Sequence, residues 1–298
     1  MTPTREDRIL GCLLGGALGD AAGGPFEGKT APVEVRWPNA LFLSDETQLT
    51  FATCEAIVAS RSVLPAAIAE RFAQWHRERR ITGVGSSVLK ALVELETGGH
   101  WATVGATGER AAGNGAAMRI APLAFLLDPT NETDRVIIRD VCRITHRHDE
   151  AYVGALAIMR TIRSSLAGAP LHSNYIAFLI TQLPDSRVRD RFHEVFRERC
   201  YKVAEYVQKF PPSGYVVDSV PLAILAAIEP GDLLTKFTRI AELGGDADTI
   251  ASMTGQIVGA LIGAKALPRE ILDRCEDLSE YRRTAADFAK TVAEISRG

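Results

Sequence analysis

Glycine recurs every four residues in two apolar segments at opposite ends of the chain. Gly11, Gly15 and Gly19 lie near the start, and Gly255, Gly259 and Gly263 near the end. That spacing lines one face of an α-helix. A glycine inside a helix costs about 1 kcal/mol relative to alanine. Three on one stripe are tolerated where another backbone passes too close for a β-carbon. The rows therefore predict core helices in tight contact with a neighbouring backbone. A tight crossing explains them better than a ligand role.

The remaining pattern is also helical. Thr4 is placed to cap a helix whose Ile9, Leu10, Leu13, Leu14, Ala17 and Leu18 form one apolar face. Helical spacing continues over 64–75, 86–95, 134–145, 150–166, 187–210, 220–227 and 232–243, and over 269–295 with a break near Ser279. A short apolar helix is predicted over Ile120 to Leu127. Gly214 to Val217 reads as an extended entry to a helix. There is no internal repeat or convincing linker, so one all-α domain over residues 1–298 is expected.

Composition narrows the partners. A formal charge of −3 and a pI near 6.1 give no reason to expect nucleic-acid or membrane-surface binding. In the stretch Arg187, Arg189, Arg191, Arg197 and Arg199, the acids Asp185, Asp190, Glu194 and Glu198 interleave, which describes a solvated, salt-linked helix. Five cysteines without a C-x-x-C pair fit reduced thiols in a cytoplasm. The polar start Thr2 to Arg8 is unlike a secretory signal. The apolar run Ile250 to Ala264 is too short to span a membrane. A soluble cytoplasmic protein is expected.

Two acidic segments about 200 residues apart each stand at a helix start: Ser44-Asp45-Glu46-Thr47, and Gly244-Gly245-Asp246-Ala247-Asp248-Thr249. One oxygen-bearing residue suffices to cap a helix. Each start carries two carboxylates and a hydroxyl. Carboxylates on the order of 5 Å apart repel by roughly 3 kcal/mol per pair at an effective dielectric near 20. Four brought together exceed the usual net stability of a domain, of order 10 kcal/mol. They need protons, basic partners or metal. An all-oxygen donor set without His or Cys favours magnesium or manganese over zinc. The alternative is two independent caps with exposed acids. A third segment, Gly113-Asn114-Gly115, is a glycine-rich turn able to point N–H groups at a phosphate.

Together these segments resemble the ADP-ribosylglycohydrolase family. The likeness is carried by G-C-L-L-G-G-A-L-G-D-A-A-G-G-P-F-E-G at 11–28, S-D-E-T-Q at 44–48, G-N-G-A-A-M-R at 113–119, T-H at 145–146, S-G-Y-V-V-D-S at 213–219 and G-G-D-A-D-T ending at Thr249. The resemblance implies a compact single-domain orthogonal helix bundle with a cleft for two Mg2+ or Mn2+ ions. Carried over by position, Ser44, Asp45, Glu46, Asp246, Asp248 and Thr249 hold metal. Asp45, Glu46, Asp248 and Glu27 are the catalytic candidates, Glu27 lying on a loop that closes over the site in some members. Gly113, Asn114 and Gly115 hold the diphosphate, His146 contacts ligand, and Tyr215 stacks on adenine. The family usually has two consecutive aspartates where this chain has Asp45 and Glu46. The extra methylene moves the second carboxylate by more than about an ångström.

The function this implies is metal-dependent hydrolysis of the bond between ADP-ribose and a modified protein side chain, arginine first, with ADP-ribose as product. Serine, nucleic-acid-base or small-molecule conjugates are alternative substrates. Glu46 motivates a second reading, an ADP-ribose-binding or structural member with impaired catalysis. A two-metal phosphohydrolase acting on nucleotides ranks last.

Overall fold

The computed structural model describes residues 2–169 and 171–297. Fourteen α-helices and five short 3-10 turns carry the regular structure, and no β-strand occurs among the described residues. The glycine rows explain how this all-α fold is centred. Helix Arg5–Gly23 and helix Ala247–Ile262 run antiparallel, with the rows facing each other. A methyl group on Gly15 would overlap the carbonyl oxygen of Gly255, and one on Gly11 that of Gly259. The same register continues through Gly19 against Ala251 and Gly23 against Ala247. The crossing expected from the sequence is thus a seam several turns long, and each helix supplies the close backbone for the other.

The seam is the middle of the core. Residues 5–26 are apolar enough in composition to cross a membrane, yet 83% of the most apolar window is buried in protein. Both seam helices read as apolar all round because they are surrounded. One contiguous hydrophobic cluster extends from Ile9 to Val292 and includes Trp75, Phe192 and Phe288. Cys12, Cys54, Cys142 and Cys200 are buried within it, and all five cysteines are free thiols.

Several boundaries differ from the sequence reading. Helix 187–210 is two pieces, Arg187–Glu198 and Val203–Tyr206. The break is a left-handed Arg199 followed by a Cys200 N–H that donates to Val195 O, a Schellman-type stop. Because the stop uses arginine rather than glycine, it left no signal. The predicted helix over 120–127 is a 3-10 turn, Ala121–Phe125, with Pro122 in its first turn. The last long segment breaks before Ser279, between Arg269–Leu272 and Leu278–Ile295. Helix Ser173–Gln182 was not foreseen. The extended entry predicted at 214–217 reaches only as far as Tyr215, and Val216 and Val217 already belong to helix Val216–Ile228.

Alanine normally stabilises a helix over glycine. At the seam the sign reverses, because the added methyl meets a backbone carbonyl that cannot rotate away. We expect Gly15→Ala to lower the thermal midpoint by a few degrees, corresponding to roughly 1–3 kcal/mol. Gly24→Ala, where a methyl meets nothing within 4 Å, should be close to neutral. Thermal denaturation followed by circular dichroism measures both, and a raised midpoint for Gly15→Ala contradicts the seam.

Candidate active site

The seam delivers the acids to each other. Its register sets Gly23 against Ala247 and Asp248, so the end of the first helix lies beside the start of the late one. One turn before Gly23, Asp20 is fully buried. It accepts hydrogen bonds from the backbone N–H of Ser44 (2.9 Å) and of Thr47 (3.2 Å), and from both their hydroxyls. Asp20 therefore caps helix Asp45–Ser60 from another part of the chain. Ser44 makes no side-chain cap of its own, and neither does Asp246 on helix Ala247–Ile262. The ordinary helix starts at Thr4, Asn131, Ser186 and Asp232 all do. The idea of two independent caps with exposed acids fails: Asp45, Glu46 and Asp248 are buried, and neither helix is capped by the side chain at its own N-cap position.

The two acidic starts are in direct contact. Thr249 Oγ1 donates to Glu46 Oε1 at 2.6 Å, joining residues 203 positions apart. Ser44 Oγ lies 2.7 Å from Glu46 Oε2 and also against Asp20. One hydroxyl proton cannot serve both carboxylates, so the metal-free arrangement calls for a protonated acid. Burial is the main cause of the shifts. It pushes Asp20 up to about 7, reinforced by the charge of Glu46. It pushes Asp248 up to about 10, reinforced by Glu46, Asp246 and Glu27. Asp246 rises to about 6 although Asn114 donates to it, and Asp45 lies well above the carboxylate range. The neighbouring charges that shift these four are all negative.

Asp45, Glu46, Asp246, Asp248 and Thr249 line one cleft of about 280 Å³, together with Glu27, Gly113, Asn114, Gly115 and His146. Among the described residues, no three His, Cys, Asp or Glu side chains already close on one coordination point. The donor chemistry still fits a hard divalent cation: buried oxygens, excess negative charge and no positive group among the charges that shift the four acids. Ser44 departs from expectation, since its hydroxyl turns to Asp20 and Glu46 and it lines an adjoining depression rather than this cleft.

The opposite wall is built on His146. Its ring lies under the glycine turn, where a methyl on Gly113 would come within 3.0 Å of Nε2 and one on Gly115 within 2.6 Å of Cε1. Burial, with Arg119 nearby, holds His146 down to about 3, so the imidazole is neutral. Thr145 Oγ1, 2.9 Å from Nδ1, fixes the ring. Asn114 Nδ2 donates to Asp246 Oδ2 at 2.5 Å and to Ser219 at 3.1 Å, tying the turn to the second acidic start. Gly244 and Gly245 adopt positive φ, 61° and 63°, and hydrogen bonds join Gly245 to Gly28 and Lys29. That contact places the Glu27 loop at the cleft. Tyr215 is the exception: it pairs with Gly113 through an isolated bridge and accepts from Arg187 at 3.3 Å, outside the cleft wall.

A family model for ADP-ribosylglycohydrolase matches residues 1–297. The chain belongs to the ADP-ribosylglycohydrolase family. Its relatives in this family include ADP-ribosylhydrolase ARH3 of Mus musculus, 26% identical with 97% of this chain and 93% of that protein covered. ADP-ribosyl-[dinitrogen reductase] glycohydrolase of Rhodospirillum rubrum is 25% identical, covering 92% of each. ADP-ribosylarginine hydrolase Tri1 of Pseudomonas putida is 26% identical, covering 99% of this chain and 81% of that protein. A solved structure described as an ADP-ribosylglycohydrolase-related protein complex superposes with a TM-score of 0.76 at 26% identity, over 97% of this chain and 99% of that one. As a member of the family, the chain is a hydrolase of ADP-ribose linkages.

Asp20 is the residue that the sequence reading passed over. Its signal was present: it is the only acid in the apolar stretch Ile9 to Phe26 of a buried helix.

The raised carboxylates set a pH dependence. An acid held at about 10 or 7 when folded, against 3.8 when free, stabilises the fold fully below the free value. That contribution is lost as pH rises through the folded values. His146 works in the opposite sense, but only below its ordinary value of 6.5. Between about pH 6.5 and 8, metal-free protein should lose about 1.4 kcal/mol per pH unit for each proton retained. Asp248→Asn should flatten that slope. Thermal melts in chelator at the two pH values decide it, and equal slopes for both proteins contradict the assignment.

Proposed function

We propose that this hydrolase cleaves the glycosidic bond between ADP-ribose and a modified protein side chain, arginine in the first instance, with divalent cations at the acidic cluster. The observation that carries the reading is the Thr249–Glu46 contact, which puts both acidic starts in one cleft with the glycine turn. The Pseudomonas putida relative is by name an ADP-ribosylarginine hydrolase, which supports the choice of linkage. Asp45, Glu46, Asp246, Asp248 and Thr249 would hold Mg2+ or Mn2+. Bound there, such ions supply Lewis acidity and anchor sugar hydroxyls.

The chain's own groups divide the cleft by charge. Gly113, Asn114 and Gly115, with Arg110 at the rim, form an end suited to the diphosphate. The neutral His146 supports that turn without adding charge. The carboxylates form the other end, where positive charge develops on the sugar as the glycosidic bond breaks. Burial and neighbouring negative charge favour the protonated forms of Asp248 and Asp45 in the metal-free site, and a bound cation would displace those protons. Among Asp45, Glu46 and Asp248, one carboxylate then accepts a proton from the attacking water. Glu27, exposed on its loop and lining the cleft with Asp248, would assist the departing group.

Incubation with an ADP-ribosyl-arginine protein and Mg2+ or Mn2+ should release ADP-ribose. Asp246→Asn should reduce the rate by roughly a hundredfold or more. Equal release by the variant rejects the reading, and release of phosphate instead favours a nucleotide phosphohydrolase.

One observation favours the second reading, a binding protein with impaired catalysis. Both carboxylate oxygens of Glu46 are engaged by hydroxyls, Oε1 by Thr249 and Oε2 by Ser44. On the hydrolase reading Glu46→Asp changes turnover by less than about tenfold. A rise of a hundredfold or more would mark the natural chain as the impaired form.

A further inference from the structure

A second depression, of about 480 Å³, adjoins the cleft. The two share Glu27, Gly83 and Asp248, and the second touches none of the glycine turn 113–115. Its wall is mainly apolar, built from Pro25, Pro38, Leu41, Phe42 and Leu43. It contains no Lys or Arg, and its only ionisable groups are Glu27 and Asp248.

Phe42 stands out in that wall. It is 71% exposed, the most exposed of the large apolar side chains among the described residues, while Leu41 beside it is 1% exposed. The cause is an extended segment anchored on both sides. Leu41 N–H donates to Arg274 O at 2.8 Å and Glu276 N–H donates to Leu41 O at 2.9 Å. Gln48 Nε2 donates to Leu43 O at 3.1 Å. Alternation along this backbone sends Leu41 into the core and Phe42 outward. A scattered exposed phenylalanine is ordinary. One carried on an anchored backbone at the rim of a depression that adjoins an active site offers a ring face for contact.

We infer that this depression is the leaving-group subsite, that it receives the guanidinium-bearing side chain of an ADP-ribosylated arginine, and that Phe42 stacks on the guanidinium. The inference rests on the hydrolase reading above. Charge complementarity selects the occupant. Glu27 at the shared edge, with no basic residue in the wall, attracts a guanidinium and offers a neutral serine side chain nothing comparable. An aromatic face beside a carboxylate is a favourable setting for a planar cation. Phe42 thereby acts on specificity through the leaving guanidinium, away from the sugar carbon under attack.

The test is titration of agmatine, and of uncharged N-butylurea, into protein saturated with ADP-ribose and Mg2+, followed by NMR. Wild-type and Phe42→Tyr proteins should bind agmatine in preference to butylurea. Phe42→Ala should bind agmatine about fivefold more weakly. Its KM for an ADP-ribosyl-arginine peptide should rise by a similar factor, with inhibition by free ADP-ribose unchanged. Agmatine binding that is indifferent to Phe42, or no stronger than butylurea binding, overturns the subsite. Wild-type protein that binds agmatine through Phe42 but releases no ADP-ribose would leave the subsite standing and sink the hydrolase reading.

Discussion

Everything at the site depends on two helices touching through bare backbone. Over four turns, glycine on Arg5–Gly23 meets glycine or alanine on Ala247–Ile262, with carbonyl oxygens where β-carbons would otherwise stand. A seam of larger side chains would set the axes near the usual 8–10 Å or beyond and leave the register adjustable. Here any slip brings a β-carbon against a carbonyl. The rigidity has a purpose that the seam itself does not reveal. It fixes Asp20 and Asp248, on different helices, relative to one another, and Asp20 in turn holds the start of helix Asp45–Ser60.

That third helix shows how a stability device has been turned to function. Its first N–H groups are capped by Asp20 rather than by its own Ser44. Relieved of capping, Asp45 and Glu46 are directed to the cleft, as Asp248 is on the late helix. The outcome is a concentration of buried negative charge that folding alone would not select. Its cost is met by protons when no cation is present, which is why burial and mutual repulsion drive Asp20, Asp45, Asp246 and Asp248 upward together. The cleft is graded in character from end to end. A glycine turn with Arg110 gives way to carboxylates, and these give way to an apolar wall bearing Phe42.

Much of this was legible in the sequence because the strongest signals were local. Four-residue glycine spacing reports a close backbone wherever it occurs, and paired acids at a helix start exceed what a cap requires. The helices with continuous apolar periodicity, such as Asp149–Leu166, were readable for the same reason. What the sequence hid was pairing and direction. Nothing local says that the two glycine rows face each other, or that Asp20 caps a helix more than twenty residues away. Ser44 stands at a cap position without capping, because Asp20 takes over that work. Tyr215 read as part of the binding wall, yet its hydroxyl is engaged by Arg187 beside the turn. The stop at Arg199 was invisible, since its left-handed residue is not the glycine that usually marks one.

The central claim is that acids from distant stretches of chain form one cation site beside the glycine turn. Anomalous diffraction from crystals grown with Mn2+ tests it most directly. The account predicts strong manganese peaks between the carboxylates of Asp45 and Glu46 on one side and Asp246 and Asp248 on the other. Manganese found only elsewhere on the molecule, with these carboxylates turned away from each other, would contradict it.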